Sequence, residues 1–73
     1  MEGIIRKLKP ENSYAFISTD KADYFMHKSD FDGHWEDLVE DVVDKRLEVK
    51  VEFEPKKTEK GLRAAEVRRL ENG

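Results

Sequence analysis

The stretch SYAFISTDKADYFMH, residues 13–27, decides how this 73-residue chain is read. It holds two short alternating runs joined by a polar connection, TDKA. Successive side chains of a strand point to opposite faces, so SYAFIS (13–18) and DYFMHK (23–28) each offer two candidate inner faces. In the first run the choice is Ala15 with Ile17, or Tyr14 with Phe16. In the second it is Tyr24 with Met26, or Phe25 with His27. His27 arbitrates. A buried imidazole needs partners for its ring nitrogens, whereas Met26 needs none. Ala15, Ile17, Tyr24 and Met26 are therefore assigned to the interior, and Tyr14, Phe16, Phe25 and His27 to the outside. TDKA is short enough to make the two runs a hairpin. An apolar cluster kept outside points to a binding surface.

The flanks extend this pattern. GIIRKLK (3–9) is a β-branched run ended by Pro10, which cannot continue a central strand. KRLEVKVEFE (45–54) alternates Leu47, Val49, Val51 and Phe53 with charged residues, and Pro55 is expected to stop it. KKTEKG then reads as a charged, mobile loop. LRAAEVRRL (62–70) suits either a short helix or a last strand, and a five-strand count favours the strand. Between residues 29 and 44 the period changes. Trp35, Leu38, Val39, Val42 and Val43 fall at helical spacing with acidic residues between them, which predicts one or two turns of amphipathic helix. That helix could instead cover the outer aromatics, but it has its own apolar stripe to bury. The expected core is Ile5, Ala15, Ile17, Tyr24, Met26, Phe31, Leu47, Val49, Val51, Phe53 and Val67. One small domain over residues 1–73 accounts for the whole chain.

Charge is unevenly placed. The net charge is −3, yet residues 29–44 carry seven Asp or Glu and no Lys or Arg. Everything outside that segment sums to +4, so a basic face on an acidic protein is possible. There is no cysteine, which excludes a disulfide or thiolate-metal staple and suits a reducing compartment. No apolar run approaches the ~20 residues of a membrane span. A cytoplasmic monomer that does not engage a membrane is expected.

These residues resemble the cold-shock domain family, five-stranded OB-type barrels that bind single-stranded DNA and RNA. The family's first motif, roughly K-G-F-G-F-I, falls on residues Asn12 to Ile17. The second, roughly D-V-F-V-H, falls on residues Asp23 to His27, with Ser29 following. KGLRAAEV (60–67) is similar to the family's ending, K-G-P-x-A-x-x-V. The resemblance covers Gly3 to about Leu70. It implies an all-β, five-stranded antiparallel OB-type barrel with a short helical segment in the long loop between strands three and four. It further implies base-stacking roles for Tyr14, Phe16, Phe25 and His27, a loop aromatic near Trp35, and strand-flanking polar groups at Lys60 and Arg63. The chain also departs from the family. Lys7 stands where a stacking Trp is usual, Lys28 where an aromatic follows the histidine, and Ser13 and Ala15 at the two glycines of the first motif.

The chemistry implied is binding, without catalysis, metal or cofactor. Aromatic platforms accept any base, because every base has a π-face. Lys7, Lys9, Lys28, Lys60 and Arg63 are candidates to track phosphates, against the alternative of ordinary solvated surface. Trp35 either stacks a base or packs on the barrel as the first residue of the helical stripe. His27, Ser29 and nearby carboxylates have no nucleophile turn around them, and the spacing of His27 and His34 matches no metal-ligand pattern. The function expected is low-specificity single-stranded DNA or RNA binding, with a possible RNA chaperone role. The alternative is an OB-type protein-interaction module that uses the acidic segment 34–44 as its contact element.

Overall fold

The structure, a computed structural model, describes residues 1–70. Six strands are present: β1 (Glu2–Lys9), β2 (Tyr14–Ser18), β3 (Asp23–His27), β4 (Phe31–Asp32), β5 (Val49–Thr58) and β6 (Gly61–Arg69), with one short helix, α1 (Trp35–Val39). The sheet order is β3-β2-β1-β5-β6-β4, and a β3–β6 pairing closes five of the strands into a barrel with β4 outside it. The fold is therefore the expected all-β barrel of OB type. One detail differs from a purely antiparallel ring. β1–β2, β2–β3, β1–β5 and β5–β6 are antiparallel, but β3 meets β6 in parallel, with Phe25 opposite Arg63. Strand directions cannot alternate all the way round an odd-numbered ring, so one parallel seam is obligatory.

The β2–β3 ladder pairs Ala15 with Met26 and Ile17 with Tyr24. All four are buried, Ala15, Ile17 and Met26 completely, as the His27 argument requires. They join Ile5, Val49, Val51, Phe53 and Val67 in one core. Gly3 lets β1 lie tight against β2, since a Cβ there would sit 2.5 Å from Ile17 Cγ2 and 2.9 Å from the Ser18 carbonyl. Two bulges adjust the register. In β1, Ile5 faces Ile17 while Lys7 faces Phe16, so Arg6 is an extra residue and Leu8 turns inward. In β6, Glu66 takes a left-handed backbone (φ 49), and Ala64 and Val67, three apart, are both buried.

Four expectations from the sequence are corrected here. Leu47 is not core; it is 49% exposed. Residues 45–48 finish the helical segment instead of starting a strand, with Arg46 left-handed (φ 55) and the Leu47 N–H bonded to the Asp41 carbonyl. Pro55 does not stop β5, which pairs on to Thr58 opposite Gly61. The Phe53 N–H donates toward β1, to the Met1 carbonyl, so the Pro55 nitrogen two residues later faces the same edge beyond the end of β1, where no donor is needed. KKTEKG is accordingly mostly hairpin, with Lys56, Lys57 and Thr58 in β5. Phe31 is partly buried and packs against the core from its flank.

The acidic segment is helical as the periodicity indicates, but Val43, the last residue of the expected apolar stripe, stays exposed. After α1 the backbone widens over Glu40–Asp44, closed by Lys45 N–H to the Glu40 carbonyl at 2.9 Å. Trp35, Leu38 and Val42 go into the core beside β1, so this segment does not cover the outer aromatics. Asp41 ties it to the barrel through the Arg69 guanidinium, with Lys45 at 3.6 Å. The Arg69 hydrogen bond, chiefly, and the two positive charges hold the Asp41 carboxyl below the usual carboxylate range, against an opposing push from desolvation. A depressed folded pKa stabilises above the unfolded value, about 3.9, and the contribution is lost as pH falls through the folded one. The stability gap between the parent and Asp41→Asn, measured by urea denaturation, should therefore be constant from neutral pH to about pH 5 and shrink below about pH 4.

Candidate nucleic-acid interface

The outer face of β1, β2 and β3 is built by cross-strand rows. Residues opposite one another on neighbouring strands point the same way. One row runs Lys7, Phe16, Phe25, Arg63, Lys56 across β1, β2, β3, β6 and β5. The next runs Lys9, Tyr14, His27. Three aromatic rings thus sit together in a frame of cations. Their centroids are 5.4–5.9 Å apart, with Tyr14–Phe16 and Phe16–Phe25 edge-on and Tyr14–Phe25 tilted by 39°. This is the spacing of mutually supporting aromatics, which hold one another half-buried while leaving ring surface open.

Local backbone chemistry fixes the ends of these strands. Ser13, left-handed at φ 58, turns the chain out of the Pro10–Asn12 turn and into β2. Its carbonyl accepts the Lys28 N–H at 2.8 Å, which pins the end of β3. His27 is exposed, and its Nδ1 accepts the Ser29 N–H at 3.1 Å, which places the ring proton of the neutral form on Nε2. Asp30 Oδ2 is the hub of this corner. It accepts the His27 N–H at 3.1 Å and both Nε and Nη2 of Arg63 at 3.1 and 3.0 Å. The Arg63 guanidinium is thereby held beside Phe25 as a neutralised plane, suited to stacking more than to capturing a phosphate.

A groove of about 560 Å³ runs from Phe16 and Phe25 to the β5–β6 hairpin, where Thr58, Lys60, Leu62 and Arg63 form its other wall. Gly61 makes that turn possible, since its φ of 125° suits glycine alone and the Thr58 hydroxyl bonds its carbonyl at 2.9 Å. Among the described residues, Lys7, Lys9, Lys28, Lys56 and Lys60 have no carboxylate within 4.0 Å, whereas Arg6, Arg63, Arg68 and Arg69 are each paired. A larger hollow, about 750 Å³, is walled by Asp32, Glu52, Glu54 and Glu66, and would repel a polyanion.

Of the residues the sequence singled out, Lys7, Tyr14, Phe16, Phe25, His27, Lys60 and Arg63 come together on this face, and Lys28 follows directly at its edge. Trp35 does not. It is buried in the core, edge-on to Phe31 at 6.4 Å, with no ring face open to a base. Sequence reasoning missed Lys56 and Asp30. A stop at Pro55 puts Lys56 in a loop, and no local pattern marks Asp30 as the partner of a residue 33 positions away. His34 leads into α1 apart from His27, and among the described residues no three His, Asp or Glu are placed to hold a metal ion. No described helix is long and apolar enough to cross a membrane. Comparison of the chain with protein-family models and with curated proteins finds no match.

The Asp30–Arg63 pair is only 15% exposed on its acid side, so its hydrogen bonds are less screened than those of Arg68 with Glu52 at the surface. Asp30→Ala should cost about 1–3 kcal/mol in urea denaturation. Arg68→Ala should cost less than about 1 kcal/mol.

Proposed function

We propose that the chain binds single-stranded DNA or RNA with low sequence preference, through the half-exposed rings of Tyr14, Phe16 and Phe25 beside His27. The single observation that carries this reading is the ring cluster itself, solvent-facing on β2 and β3 and framed by lysines with no acidic partner. Bases stack on the rings, and Lys7, Lys28 and Lys60 meet the phosphates, which makes binding salt-dependent. Arg63, held flat by Asp30, extends the platform past Phe25.

The resemblance to cold-shock domains supports the same reading. Two positions at which that family carries glycine, Ser13 and Gly61, both take positive φ here. A role in keeping RNA unpaired follows from stacking that competes with base pairing. In this reading the protein is a binding module and not an enzyme. The acidic segment 34–44, whose apolar residues Trp35, Leu38 and Val42 serve the core, is read as structural rather than as a docking element.

Phe16→Ala and Phe25→Ala have no core duty. Each should weaken binding of a pyrimidine-rich oligomer by about 1–3 kcal/mol, read by fluorescence anisotropy, with the thermal transition little changed. Unchanged affinity in both variants would remove the aromatic face from the site.

A further inference from the structure

We infer that the bound strand does not end at Lys7 but continues past β1 into a cationic cleft centred on Arg46, where its backbone phosphates are held. This rests on the single-strand reading above and adds to it a distal phosphate subsite.

Three adjoining hollows trace the path. The aromatic groove and a second hollow of about 300 Å³ share Phe16 and Asp23, the one carboxylate in the lining of the three hollows. The second hollow and a cleft of about 370 Å³ share Arg6 and Lys7. The cleft lies between β1 and the widened helical turn, walled by Arg6, Lys7, Lys9 and Arg46 over a floor of Leu8 and Val42, with no carboxylate in its lining. Glu48 neutralises Arg6 at 3.0 Å. Among the described residues, Lys7, Lys9 and Arg46 have no such partner within 4.0 Å.

The arrangement suits a repeating anion. Lys7 and Lys9 are two residues apart on one strand, about 6.6 Å at strand rise, and Arg46 stands across the cleft from them. Charges strung out in this way match successive phosphodiesters better than one free phosphate. The apolar floor can take sugar carbons. Arg46 is presented by the fold: its left-handed backbone (φ 55) follows from the bonds Lys45 N–H to Glu40 and Leu47 N–H to Asp41, which close the helical segment. Continuity with the aromatic groove favours a nucleic-acid strand over an acidic peptide.

The test compares short and long oligothymidines, a tetramer that spans the aromatic face and a decamer that reaches the cleft, by anisotropy at several salt concentrations. Arg46→Asn removes the charge with a residue that tolerates φ 55, and Arg46→Lys restores it. For the decamer, Arg46→Asn should bind more weakly and lose about 0.7 from the slope of log affinity against log salt, and Arg46→Lys should recover it. The tetramer should be bound equally by all three proteins. An unchanged decamer slope in Arg46→Asn, or equal loss at both lengths, would overturn the distal subsite while Phe16-dependent tetramer binding left the single-strand reading standing. A polyglutamate peptide bound through Arg46, with the decamer slope unchanged, would assign the cleft to an acidic protein and overturn it as well. Failure of the parent to bind either oligomer would overturn both.

Discussion

Ala15 and Met26 face each other inside the barrel with no exposed surface, and the character of the outer face follows from that pair. Strand pleating leaves no freedom: with Ala15 and Met26 in, Tyr14, Phe16, Phe25 and His27 must point out. The small Ala15 and the unbranched Met26 make a pair that fills the interior without asking for a hydrogen bond. The parallel seam at Phe25 and Arg63 then brings β6 and its hairpin up against the same face, turning a flat aromatic patch into a groove with two walls. Folding the barrel and assembling the site are one event.

The charge arrangement lets a protein of net charge −3 carry a cationic face. Its arginines are largely spent on structural pairs: Arg6 with Glu48, Arg63 with Asp30, Arg68 with Glu52 and Arg69 with Asp41. Its lysines along β1, directly after β3 and on the β5–β6 hairpin are not. Much of the surplus acid lies on the helical segment and around the hollow between β4, β5 and β6, away from the rings. Because the Debye length is about 10 Å at 0.1 M salt, the potential at the ring face is set by nearby charges more than by the total.

What was legible in the sequence was whatever depends on alternation within one strand. His27 alone oriented the β2–β3 hairpin, and Val49, Val51 and Phe53 gave the inner face of β5. What was not legible depends on a partner strand. The β1 bulge that turns Leu8 inward and sets Lys7 opposite Phe16 is a relation between β1 and β2, invisible in GIIRKLK alone. Pro55 read as a stop because its harmlessness follows from where β1 ends. Leu47 fitted a two-residue period by coincidence, since the residues before Val49 close the helix. Trp35 carried two readings, and the helical stripe it begins decided for the core. The Asp30 hub and the Arg46 cleft join residues far apart in the chain, so only the closed barrel brings them together.

The central claim is that the outward rings of β2 and β3 are the working surface. It is tested most directly by titrating the protein with a pyrimidine-rich oligonucleotide while following its NMR signals residue by residue. Saturable shifts concentrated at Tyr14, Phe16, Phe25 and His27, spreading to Lys7 and Lys60, are the expected result. Shifts confined to residues 35–44, or none at oligomer concentrations that saturate ordinary single-strand binders, would contradict it.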